Sequence, residues 1–187
     1  MVNQQQTSIE PLLQQGAVLI AQGGWQAFTL DVLARELNMA PAALYEQISS
    51  KEAFLERFVD HVTAQAIGNH DFEGLDEPRD RFFEVVMQRL DVLAPYKGMV
   101  RALSYELPCD PLNALGPLAR LGKGIEWIFS AVGFPLNGLK GIVKLKAFGV
   151  FYGLIVHQWL SDETPEQAAT LRALDENLDR FMPVFLL

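Results

Sequence analysis

Apolar residues recur three and four positions apart along most of this chain, and no stretch alternates apolar and polar residues as a half-buried strand would. The pattern predicts an all-α fold of about nine helices. The first helix is expected over residues 8–22, with Thr7 and Glu10 in capping-box spacing, Pro11 in the first turns and Gly23-Gly24 at the end. A second helix starts after Thr29, with Asp31 near its positive end and Leu30, Leu33, Ala34 and Leu37 as its apolar stripe. Asn38-Met39 is a turn. Pro41 then opens a short third helix that buries Leu44 and Ile48, one turn apart. Ser49 and Glu52 have capping-box spacing ahead of a fourth helix reaching about residue 67, lined by Phe54, Leu55, Phe58, Val59 and Val62.

Residues 68–77, GNHDFEGLDE, are polar and contain glycine, and read as a connection. Helical spacing resumes after Pro78 with Phe82, Val85, Val86 and Leu90, and breaks near Pro95 and at Pro108-Cys109-Asp110-Pro111. A stretch over residues 112–132 carries Gly116, Pro117, Gly122 and Gly124, a composition compatible with a kinked or a split helix. Residues 133–138 form a loop, and a strongly apolar helix follows over 139–160. Thr164, Pro165 and Gln167 supply an N-cap, a first-position proline and a capping-box partner for the last helix. The organisation expected is a domain at 1–50 and a second at 51–187, with the helix at 51–67 connecting them.

Composition narrows the function. The 187 residues suffice for a sizeable core, and half of them are hydrophobic. A net charge of −8 means that the overall field does not steer the chain toward nucleic acid, so DNA binding would need a local face. The single cysteine, Cys109, cannot form an internal disulfide, and a reducing, cytoplasmic setting fits. Residues 1–8 carry no positive charge and precede no signal-peptide core. The longest apolar run, 147–156, is too short to span a bilayer, so no stable membrane insertion is expected. His61, His70 and His157 share no ligand spacing, and no metal is expected. No nucleophile elbow, phosphate loop or CxxC is present, so neither catalysis nor a cofactor is expected.

The segment GWQAFTLDVLARELNMAPAALYEQISSKEAF, residues 24–54, resembles the DNA-binding signature of TetR-family transcriptional regulators. Gly24 and Thr29 before the second helix, Leu33-Ala34 within it, Leu44-Tyr45 in the third, and Ser50-Lys51-Glu52 opening the fourth carry the resemblance. It implies a TetR-like fold: an N-terminal three-helix helix-turn-helix domain followed by a helical ligand-binding and dimerisation domain. It also implies a homodimer, most often a repressor, that binds a double-stranded DNA operator and is controlled by a small hydrophobic effector. Residues 40–47 would be the recognition helix, presenting Ala40, Pro41, Ala42, Ala43, Tyr45 and Gln47, while Thr29, Tyr45 and Lys51 would hold phosphates. The chain departs from the family pattern at Ala40 and Pro41, where serine and lysine are frequent. It departs again at Ala43, where threonine is frequent, and at Glu46, where an aromatic is frequent. Residues 1–60 hold three basic and seven acidic side chains, a poor balance for neutralising phosphates, which leaves contacts from Ala40, Ala42 and Ala43 to thymine methyls as an alternative source of affinity.

Near the C-terminus, Trp159-Leu160-Ser161-Asp162, Thr164-Pro165, Leu171, Ala173, Leu174, Asp175 and Leu178 are similar to the last two helices of COQ9-like proteins. That resemblance implies a lipid- or isoprenoid-binding accessory protein on the same scaffold, with no DNA operator. On family grounds the last two helices form the dimer face, with Gly149, Gly153, His157, Leu171, Leu174 and Leu178 in it; the same pattern also fits a helix buried in its own core. Met99, Tyr105, Trp127, Phe151 and Tyr152 are candidate lining for an apolar ligand pocket, or plain core. Lys140 and Lys144, one turn apart, are expected on a solvated face, with Lys146 completing a small basic cluster.

Overall fold

A computed structural model describes residues 9–68, 75–107, 111–134 and 136–187. The expected cap Thr7, the middle of the polar connection with His70, and the Pro108-Cys109-Asp110 break lie outside the described residues. The elements are helices α1 (Glu10–Gly23), α2 (Leu30–Glu36), α3 (Pro41–Gln47), α4 (Lys51–Gly68), α5 (Pro78–Leu93), α6 (Lys97–Glu106), α7 (Pro111–Val132), α8 (Gly138–Ser161) and α9 (Ala168–Phe185). Short 3-10 turns precede α6 and α9. Among the described residues there is no strand.

Two compact units share these helices. The first takes the chain to Phe58 and adds Tyr96–Pro117; the second takes Val59–Pro95 and Leu118–Leu187. In the first unit, Leu13, Ile20, Leu33, Leu44 and Phe54 are fully enclosed. Helix α1 approaches α4 so closely that a Cβ at Gly16 would overlap the Phe54 ring. Phe28 bridges Trp25 and Phe54, with ring centroids 5.8 and 5.0 Å apart. Helix α6 lies against α1 at another small residue, for a Cβ at Gly98 would sit 2.9 Å from that of Ala21.

The second unit is organised around phenylalanine. Phe82 of α5, Phe129 of α7, Phe148 of α8 and Phe185 of α9 meet with centroids 5.1 to 6.1 Å apart, so one ring from each helix supplies a shared core. At its edge the Arg79 guanidinium of α5 bonds Asp175 and Asp179, one turn apart on α9, at 2.5 and 2.7 Å.

Several local expectations change. Helix α4 is capped by Ser50, whose hydroxyl accepts the Ala53 N–H at 3.1 Å, one residue beyond the Ser49 expected. Helix α7 runs as one element from Pro111 to Val132, through its glycines and Pro117. The start of α9 depends on Asp162 more than on the expected Thr164 and Gln167 pair. Asp162 accepts the Thr170 N–H and hydroxyl, both at 2.6 Å, and those of Thr164 at 2.9 and 2.5 Å. Thr164 contributes a longer bond, from the Ala169 N–H at 3.3 Å. Gln167 stands in the left-handed region with its side-chain oxygen buried and without a partner among the described residues, so it completes no capping box. Lys144 is buried, with its ammonium 5.9 Å from the Phe134 ring centroid, and so does not share a solvated face with the exposed Lys140.

Candidate nucleic-acid interface

The α2–α3 unit is fixed at both ends by short polar residues. Thr29 caps α2, its hydroxyl accepting the Val32 N–H at 3.2 Å. The hydroxyl acts there as acceptor, so its own proton remains available to an outside acceptor. At the other end Asn38 adopts φ 53°, a conformation its short amide side chain tolerates. Asn38 N–H donates to Arg35 O at 3.1 Å and Met39 N–H to Ala34 O at 2.9 Å, which closes a Schellman turn. Ala40 then leads extended into Pro41, whose fixed φ and missing N–H suit the first position of α3.

Helix α3 is anchored from one side only. Leu44 is wholly buried, as is Ile48 just past the helix end. Ala40, Pro41, Ala42, Ala43, Tyr45 and Glu46 are exposed, and Gln47 is half-buried with its amide 3.5 Å from Ala43 O. The structure therefore brings six of the eight expected DNA-contact residues onto the accessible side of one short helix and its cap. It places Thr29 at the head of the preceding helix. The presented surface is small, apolar and aromatic, with Glu46 as its charged member.

Lys51 is placed differently. Its ammonium donates to the Trp25 carbonyl at 3.5 Å and lies 4.7 Å from the Trp25 ring centroid, so this cation is partly engaged within the domain. Trp25 is fully buried and its indole N–H has no partner among the described residues. The turn holding Trp25 is itself braced from α6, because the Glu106 carboxylate accepts the Gln26 N–H at 3.0 Å. Sequence reasoning missed both Trp25 and Glu106. The Gly23-Gly24 punctuation signalled a turn, but nothing local pointed to a carboxylate eighty positions later.

Residues 12–58 match the model of the tetR family of bacterial regulatory proteins. This N-terminal domain belongs to the TetR family. The TetR-like architecture extends over the chain. The TetR transcriptional regulator from Nitrosomonas europaea superposes with a TM-score of 0.72 at 17% identity, over 91% of this chain and 95% of that one. The TetR family transcriptional regulator PfmR from Thermus thermophilus gives 0.53 at 16% identity, over 90% and 97%. At such identities the likeness concerns the fold. No curated protein matches the sequence.

Of the expected pocket residues, Met99 and Tyr105 belong to α6 in the first unit, the former buried and the latter 74% exposed. Trp127, Phe151 and Tyr152 belong to the second unit. Trp127 is half exposed, and Phe151 packs among Phe148, Phe181 and Phe185. Tyr152 is buried with its hydroxyl 3.0 Å from Arg89 Nε. Of the expected dimer residues, Gly149, Gly153 and His157 lie on the outer side of α8, and Leu171 is half-buried on α9. Leu174 and Leu178 are completely enclosed in the unit's own core and present no surface to a second copy. Leu139, Ile142, Val143, Val150 and Leu154 are exposed along α8, with Leu139 and Val150 82% and 60% exposed. Among the described residues no helix is long and apolar enough to cross a membrane.

Proposed function

We propose that this chain is a homodimeric transcriptional regulator, acting as a repressor, that reads an operator with α3 and releases it on binding a small ligand with apolar character. The observation that carries this reading is α3 itself: a helix anchored by Leu44 and Ile48 whose other side is left accessible, within a domain of the TetR family. The exposed surface favours methyl and van der Waals contacts from Ala42 and Ala43, with Tyr45 and the Thr29 hydroxyl directed to the backbone. The acidic N-terminal balance implies modest affinity and a shallow salt dependence. The exposed apolar residues along α8 support dimerisation, because such a surface is costly to leave in water. An effector acts by binding the released arrangement better than the DNA-bound one.

The test is binding of the purified chain to fragments of its own genome, including its upstream region, at low and moderate salt. Selection of one palindromic site, weakened as salt rises, supports the reading. Retention of no fragment at low salt, with and without extracted lipids, removes it and leaves the lipid- or isoprenoid-binding alternative.

A further inference from the structure

Within the second unit, Arg89 of α5 is a buried cation, 4% exposed. Its Nε donates to the Tyr152 hydroxyl of α8 at 3.0 Å, and its Nη1 donates to the Thr63 hydroxyl of α4 at 3.0 Å. Helix α7 comes close at Gly124, where a Cβ would lie 3.0 Å from the Thr63 hydroxyl and 3.9 Å from Arg89 Nη1. Four helices thus converge on one guanidinium, and the two groups bonded to it are neutral hydroxyls. No ion pair with a described carboxylate accompanies them.

A guanidinium has five N–H groups, and two are used, so three have no acceptor among the described residues. Each hydroxyl accepts from the arginine, and neither donates to a described acceptor, so both O–H protons remain. Burial raises the Tyr152 pKa above the usual phenol value, which keeps that proton in place. The cluster is therefore a set of donors around a positive charge. An unpaired buried charge is costly, and a planar arginine fork matches an oxyanion.

We infer that Arg89, with Tyr152 and Thr63, is the headgroup site for an anionic amphiphile, a molecule with an apolar tail ending in a carboxylate or a phosphate. This deepens the proposed function and rests on its ligand-binding half. Phe148 and Phe151, next to Tyr152 along α8, are close-packed and make the surroundings of the guanidinium apolar.

The test is calorimetric titration of the full chain with decanoate, decyl phosphate and decanol. The anions are expected to bind about ten- to a hundredfold more tightly than decanol, the range set by charge-assisted hydrogen bonds. The tighter anion identifies the headgroup. Arg89→Met is expected to reduce both anions to the decanol level and leave decanol unchanged. Arg89→Lys is expected to keep part of the preference and Lys144→Met all of it. Should Arg89→Met fail to fold, the wild-type series and Arg89→Lys decide. Equal binding of the three compounds, no saturable binding of any, or a preference lost with Lys144 rather than Arg89 overturns the inference. Fragment binding in the same preparation keeps the two readings apart. DNA selected without headgroup discrimination removes this inference alone, and Arg89-dependent anion binding without DNA removes the regulator alone.

Discussion

The Glu106 carboxylate at the end of α6 accepts the backbone N–H of Gln26, in the turn between α1 and α2, at 3.0 Å. The same carboxylate fills the space beside Gly24, where a Cβ would lie 2.5 Å from Glu106 Oε1 and φ is +82°. One acidic side chain thus holds the turn that places Trp25 beneath Lys51.

Replacing Glu106 with alanine is expected to cost about 1 kcal/mol, below the range of a buried charge-assisted bond because the site is partly exposed. Amide exchange checks it directly. Gln26 N–H should lose protection while amides in the middle of α8 do not. Unchanged exchange at Gln26 would mean that the contact holds nothing.

Lys51→Ala is expected to have two separable effects. Loss of the contact with Trp25 lowers thermal stability by about 0.5–1 kcal/mol. If Lys51 also reaches a phosphate, the slope of log affinity against log salt falls by about one per protomer. A stability loss with an unchanged slope would confine Lys51 to a role within the domain.

The four-helix ring cluster sets the largest expected cost. Phe148 is fully buried against rings from all three neighbouring helices, and Phe148→Ala is expected to cost about 3–5 kcal/mol by cavity formation. Denaturant unfolding followed by tryptophan fluorescence measures it. A cost under about 1 kcal/mol would contradict the packing described.

Acid should act through Asp162. Hydrogen bonds from Thr164 and Thr170 hold its carboxyl below the ordinary carboxylate range. A depressed folded pKa gives a contribution that is complete above the unfolded value, near 4, and is lost as pH falls below it. Urea midpoints from pH 7 to pH 3 should therefore fall more steeply for the wild type than for Asp162→Asn. Parallel curves would remove Asp162 from the account.

What could be read from the sequence follows the distance over which each feature is determined. The Thr29 cap, the Asn38 turn and Pro41 at the start of α3 are local choices of backbone chemistry, and each stands where the sequence puts it. The Glu106 brace and the Arg89 cluster join elements tens of residues apart, and no periodicity encodes them. Leu174 and Leu178 mark a third limit. Helical spacing says that they are covered but not by what, and their own unit encloses them. On α8, residues on every side are apolar, so only the fold separates the inward Phe148 and Ile155 from the outward Val150 and Leu154.

The central claim, that α3 is a reading helix, is tested most directly by titrating genomic fragments with the wild type and with Ala42→Glu. Ala42 is exposed on α3, so the substitution should leave thermal unfolding within about 0.5 kcal/mol of the wild type. The expected result is a wild type that retains one fragment and an equally stable variant that retains none. Equal retention by both proteins, or by neither at low salt, would contradict the account.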